Sequence, residues 1–231
     1  MEKTILNHHS CTVLAVCDET REFLFGEYDP SYPGRNKHWI GRVKLLGGNY
    51  FFGKDNDQSP LDTSLREIKE EFSGKKASAE EMSANQEHIF APLAEVEFVR
   101  SALSKLEPSQ DYLLHYPDTK DNSSVYAIFS VFRASISKKV ISVVKNNLSA
   151  GKSLTNEGFL AVKTKDELVA GKPWTQGITG LVIGQMSGVV LPYCFNDLFT
   201  FAPIGKPRNS YEAYSDYFQY RDHSKKLNLH F

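Results

Sequence analysis

The residues best suited to chemistry are Arg66, Glu67, Glu70 and Glu71, in the run Arg66-Glu67-Ile68-Lys69-Glu70-Glu71. At about 100° per residue on a helix, the three glutamates at i, i+3 and i+4 share an arc of about 100°. Leu61, Leu65, Ile68 and Phe72 fall within about 60° on the other side. The pattern predicts a helix over 59–72 with an apolar back and an acidic front. Ser59 is placed to cap its start, Pro60 suits the first helical position, and Asp62 lies where the helix dipole favours an anion. Three clustered carboxylates repel one another, and a hard divalent cation such as Mg²⁺ or Mn²⁺ would relieve that cost. Arg66, four residues before Glu70, offsets only part of the charge. A solvated helix face would carry the same residue types, so spacing alone leaves both readings open.

The surroundings favour the chemical reading. With Gly47-Gly48 before it and Gly74 after it, Gln58–Gly74 resembles the signature of the Nudix hydrolases. Arg66, Glu67, Ile68, Glu70 and Glu71 match the signature core in type and spacing, and Gly47-Gly48, with Trp39 upstream, resembles the glycine pair that precedes it. Three features depart from the pattern. Gln58 stands where the signature has its first Glu, about four extra residues lie between Gly48 and Gln58, and the closing glycine falls on Ser73 with Gly74 one place late. The resemblance implies an α/β/α sandwich with a mixed β-sheet and hydrolysis of the diphosphate linkage in a nucleoside diphosphate derivative. It implies Mg²⁺ or Mn²⁺ held by Glu67, Glu70 and Glu71 with the Gly48 carbonyl as a further ligand, and Arg66 in the catalytic set. By the same resemblance Gly47, Gly48 and Trp39 contact substrate, and the general base is Glu67 or a carboxylate from a later loop, for which Glu157 is the candidate. A diphosphate is anionic, so cations must stand between it and the acidic helix.

The elements around the motif suit that layout. Cys11–Cys17 is a short β-prone run, Asp18–Arg21 a turn, and Glu22–Gly26 its hairpin partner. Trp39–Leu46 reads as extended and ends at Gly47-Gly48. Val96–Val99 and Val125–Phe132 read as strands, Ser137–Leu148 as a helix with an imperfect apolar face, and Glu157–Val162 as a strand before a short helix at Lys165–Leu168. Ile178–Leu191 is expected to be a second packed helix. Strands interleaved with helices point to an α/β fold with both sheet faces covered. Residues 1–205 are expected to form the catalytic domain, with insertions at Tyr28–Lys37, Ser101–Asn122 and Ser135–Ser153, followed by an aromatic-rich extension over 206–231. In that extension Tyr211, Tyr214 and Phe218 sit at helical spacing, so one face could pack on the core or on a second copy of the chain.

Composition narrows the partners. The 231 residues carry a net charge of −1, which gives no bulk attraction to nucleic acid. Cys11, Cys17 and Cys194 are odd in number and lack C-x-x-C spacing, which predicts reduced, buried thiols and a cytoplasmic setting. Met1–Ser10 has no apolar core for a secretory signal. Trp174–Asn196 lacks charged residues, but polar residues interrupt its apolar run too often for a membrane span. Gly151-Lys152-Ser153 is not a phosphate-binding loop, because Asn146 stands where the first glycine would be needed. The seven histidines show no metal-ligand spacing. The resemblance implies a nucleotide-type small molecule as partner, and no membrane is expected. Capped RNA remains a second substrate class, because the opening His9–Leu14 with Leu24–Gly26 is similar to decapping enzymes of that superfamily. A non-catalytic nucleotide-binding or regulatory module is the alternative that Gln58 and Ser73 suggest. Substrate choice within the superfamily lies in loops outside the signature, and no substrate-specific motif stands out.

Overall fold

Strand β1 (Thr4–Cys17) is buried on both faces from His9 to Cys17. Val13, Ala15 and Cys17 enter one apolar cluster, while Leu14 and Val16 enter another on the opposite side of the sheet. The continuous apolar run Val13–Val16 follows from that two-sided burial, because successive strand residues point to opposite faces. In this computed structural model, residues 3–28, 42–74, 89–117, 124–156, 158–170, 179–180, 182–184 and 200–224 are described. Trp39, Glu157 and Cys194 lie outside them, as does most of the expected helix Ile178–Leu191.

A turn with Arg21 at φ 56° leads from β1 into β2 (Glu22–Tyr28), its antiparallel neighbour. The other strands are β3 (Val43–Lys44), β4 (Leu46–Tyr50), β5 (Leu106–Pro117), β6 (Ser124–Ser135), β7 (Gly158–Thr164), β8 (Thr200–Gly205) and β9 (Phe218–Tyr220). Together they form a nine-stranded mixed sheet whose main path runs β3-β2-β1-β6-β5-β8, with β4 and β9 also on β1 and β7 on β2. β6 runs parallel to β1 from Leu6 to Val16. β9, β4 and β2 share the remaining pairing, at Thr4–Leu6, His9–Val13 and Ala15–Cys17 respectively.

Four α-helices are described: α1 (Pro60–Glu71), α2 (Leu93–Leu103), α3 (Lys138–Ser149) and α4 (Lys165–Ala170). Ile68 and Phe72 from the α1 end, Val96, Val99 and Leu103 of α2, and Val140, Ile141 and Val144 of α3 cover one sheet face. Leu168 of α4, with Val182 and Ile183, packs on the other, against Phe25, Leu114 and Val131. No described helix is long and apolar enough to cross a membrane. Cys11 and Cys17 are buried free thiols, as expected.

Several sequence expectations change. Val96–Val99 lies in helix α2, not a strand: Val96, Val99 and Leu103 recur at helical spacing and are the helix's buried residues, which outweighs their β-branched preference. Ser101–Asn122 contains the end of α2 and the twelve-residue strand β5, paired between β6 and β8, so its described part is integrated in the sheet. Ser135–Ser153 likewise holds the core helix α3. Gly47-Gly48 lies inside β4, not beyond a strand end. The aromatic tail is not one helical face. Tyr211 precedes and Tyr214 ends a 3₁₀ turn at Glu212–Tyr214, Phe218 begins β9, and the rings close a third apolar cluster with Leu6, Cys11, Tyr50 and Ile128.

That cluster surrounds buried polar groups. His9 Nε2 lies 2.7 Å from Ser130 Oγ and its Nδ1 2.7 Å from Tyr220 Oη. The Ser130 hydroxyl donates to Asp111 Oδ1 at 2.5 Å, and the Tyr214 hydroxyl donates to Asp111 Oδ2 at 2.5 Å. Burial and the neighbouring His8 push the His9 pKa down to about 3. Burial and His223 push His8 down to about 4. In the unfolded chain both take up a proton near their ordinary pKa of about 6.5. The unfolded state therefore binds protons first, and stability fully present above pH 6.5 is lost as pH falls through the window down to the folded values. Urea titrations at pH 7, 6 and 5 should lose up to about 1.4 kcal/mol per pH unit for each histidine, and His8→Gln should lower the slope by one histidine's share.

Candidate functional site

Helix α1 starts as its sequence dictates. Ser59 is extended at φ −147°, ψ 161°, and its side chain accepts the Asp62 amide at 3.2 Å, a cap worth about 1 kcal/mol. The Ser59 hydroxyl donates to Asp62 Oδ2 at 2.9 Å. Gln58 is exposed at this start: its amide side chain donates to the Asn56 carbonyl at 2.9 Å, and its own carbonyl accepts the Tyr211 N–H at 2.9 Å. At the other end Asn156 closes the helix, its side-chain amide donating to the Glu70 carbonyl at 2.5 Å and its backbone N–H to the Glu71 carbonyl at 2.8 Å.

The glycine pair fixes how close the helix and two strands can come. Gly47 and Gly48 pair with Thr12 and Cys11 across β1 and β4. Gly47 has φ +113°, and a Cβ there would lie 2.3 Å from the Cys11 carbonyl oxygen. A Cβ on Gly48 would lie 2.3 Å from the Glu67 carboxyl group. One glycine therefore serves the backbone, and the other makes room for the carboxylate of α1.

The helix does not present three glutamates to solvent. Side-chain exposure is 60% at Glu70, 16% at Glu67 and 2% at Glu71. The buried residues are Pro60, Thr63, Ser64, Ile68 and Glu71, with Leu61 and Leu65 only half-buried. The helix is thus rotated from the expected apolar back, and its acidic face turns partly toward β4. Lys44 Nζ stands 3.9 Å from Glu71 Oε1. Arg66 lies among four carboxylates: Nε donates to Asp57 Oδ2 at 2.9 Å, Nη1 to Glu67 Oε1 at 2.7 Å and to Glu70 Oε2 at 3.3 Å, and Nη2 is 3.7 Å from Asp55 Oδ2. Burial works against the Arg66 charge, but Asp57 and Glu67 outweigh it and hold its pKa above the ordinary value.

Asp57, Asp55, Lys44 and Thr63 were not singled out by sequence. Asp57 carried a usable signal: it immediately precedes Gln58, so a carboxylate stands one residue from where the signature Glu is missing. Its side chain also accepts the Thr63 hydroxyl at 2.8 Å. Gly48 meets Glu67, which pairs with Arg66, whereas Glu71 stands beside Lys44, Glu70 faces outward, and Trp39 and Glu157 are outside the described residues. Among the described residues no group of three or more Asp, Glu, His or Cys side chains is gathered to hold a metal. Glu67 and Glu71 lie one turn apart on α1, the Glu67 carboxyl against Gly48 and Glu71 beside Lys44; carboxylate oxygens are the donor type that hard divalent cations take, and Lys44 is the competing charge at Glu71. No protein-family model matches this chain, and no curated protein matches it.

The two glycines should separate fold from site. Gly47→Ala meets a backbone carbonyl at positive φ and should cost about 2 kcal/mol or more in urea denaturation. Gly48→Ala meets only the end of a side chain, so its cost should stay near about 1 kcal/mol while Glu67 is forced off the strand.

Proposed function

We propose that the chain is a divalent-metal-dependent hydrolase of the Nudix type, on that family's α/β/α sandwich, cleaving the diphosphate linkage of a nucleoside diphosphate derivative. The observation that carries this reading is the Glu67 carboxylate packed on Gly48, with Glu71 one turn further along the helix. Glu67 and Glu71 would hold the cation, with Gly48 supplying backbone beside them. Bound there, a Mg²⁺ or Mn²⁺ ion would neutralise phosphate charge and lower the pKa of its water. Arg66 keeps the glutamates from repelling one another, and Asp57 supplies the anionic partner that Gln58 lacks. Glu67 is the residue assigned to take up the proton of the attacking water. Glu70, largely exposed and paired with Arg66, tunes the charge of this face more than it ligates.

A second reading, a nucleotide-binding module without turnover, is favoured by Lys44. Its ammonium beside Glu71 supplies a fixed positive charge where a ligand cation would otherwise act. The two readings diverge in one experiment. Nucleotide sugars, dinucleoside polyphosphates, ADP-ribose, nucleoside triphosphates and capped RNA are incubated with Mg²⁺, Mn²⁺ or EDTA, and products are separated by liquid chromatography. Cleavage abolished by EDTA and lowered on the order of 10²-fold by Glu67→Gln supports the hydrolase. Nucleotide binding without cleavage of any substrate would replace it with the binding module.

A further inference from the structure

A hydrogen-bonded chain of six side chains runs from Cys11 through Tyr211 of the C-terminal segment to Glu67. Cys11 Sγ lies 3.2 Å from Tyr211 Oη, Tyr211 Oη 2.7 Å from Thr63 Oγ1, Thr63 Oγ1 2.8 Å from Asp57 Oδ2, and Asp57 Oδ2 2.9 Å from Arg66 Nε. Arg66 then reaches Glu67 Oε1 at 2.7 Å. Cys11 and Thr63 are fully buried, and Tyr211 is 7% exposed. Proton counting sets the direction of this chain. A carboxylate only accepts, so Thr63 must spend its single hydroxyl proton on Asp57. Thr63 can then only accept from Tyr211, whose hydroxyl proton is thereby used, leaving the Cys11 thiol to donate to Tyr211.

We infer that Tyr211 is a positioning residue of the candidate site, acting through Thr63 and Asp57 to hold Arg66 against the loop. This rests on the hydrolase reading above for the role of Glu67. With its Nε side bound to Asp57, the guanidinium reaches the glutamates through Nη1 alone. An Asp57 that is not held would let Arg66 turn more fully onto Glu67 and Glu70 and compete with a cation there. The C-terminal segment is thus joined to the site, although 148 residues separate Thr63 from Tyr211. Tyr211 is also tied down independently of its hydroxyl. Its ring stacks on Tyr50 at 3.7 Å between centroids, and its N–H bonds the Gln58 carbonyl. Tyr211→Phe therefore removes the bond that fixes the Thr63 hydroxyl in its orientation toward Asp57, and keeps the packing.

The test is Mn²⁺ affinity of the full chain, read by electron paramagnetic resonance without any substrate. Wild type should bind Mn²⁺, and Glu67→Gln should bind it far more weakly. Tyr211→Phe should weaken binding about five-fold, the effect of one lost hydrogen bond. Thr63→Val, which breaks the same chain from the helix side, should do likewise. Tyr211→Phe combined with Asp57→Asn should be no weaker than Asp57→Asn alone, since the tyrosine acts through that carboxylate. Tyr214→Phe, which unlinks the same segment from Asp111 instead, should lower thermal stability and leave Mn²⁺ affinity at the wild-type value. Wild-type affinity in Tyr211→Phe, or equal losses in Tyr211→Phe and Tyr214→Phe, would overturn the positioning role and leave the metal reading standing. Absence of Mn²⁺ binding by wild type would overturn the metal reading itself and the inference with it.

Discussion

The fourteen residues of β1 must have their backbone groups hydrogen-bonded, and from His9 to Cys17 both faces of the strand are buried. A single neighbour on each side would suffice for a strand of ordinary length. Here β6 serves Leu6–Val16, and three strands from distant parts of the chain, β9, β4 and β2, divide the rest of the pairing. That sharing brings the site together. β4 arrives with Gly47 and Gly48, helix α1 follows on the same side, and β9 arrives from the C-terminal segment beside both. The close approach of Gly47 to the Cys11 carbonyl is where the constraint is tightest, because no residue with a Cβ fits there.

Charge is the second organising feature. A carboxylate that is 2% exposed, as in Glu71, is expensive unless cations and hydrogen bonds surround it. Lys44 supplies one such cation, and Arg66, among Asp55, Asp57, Glu67 and Glu70, offsets the rest of the acidic helix. A solvated acidic face needs neither burial nor a backbone cleared of side chains. The combination of a buried Glu71, a half-buried Glu67 and a Cβ-free strand beneath it is what an ordinary surface helix lacks.

The C-terminal segment belongs to the same architecture. Tyr211 and Tyr214 fill the cluster at the end of the sheet, and their hydroxyls meet buried polar groups on different strands and helices. Tyrosine suits this position because its ring supplies apolar area while its hydroxyl satisfies a polar partner. His9, which the sequence offered only as an isolated histidine, becomes a neutral, doubly hydrogen-bonded core residue there.

Local rules were enough for much of this. The capped helix over 59–72, the β1–β2 hairpin, strand β6, helix α3 and the β7–α4 succession were legible because each rests on short-range periodicity, capping or turn chemistry. The R-E-I-K-E-E run marked the residues on α1, and the glycine pair marked the strand beside them. Three things needed the tertiary structure. Val96–Val99 has strand-like residues, and packing of Val96, Val99 and Leu103 into the core decided for the helix. Helix α1 turned Glu71 inward and left Leu61 and Leu65 half-buried, because facing elements, not residue spacing alone, choose which side of a helix is covered. Asp57, Lys44 and Tyr211 joined the site through contacts between segments far apart in the chain, and no periodicity within a single element encodes such long-range pairing.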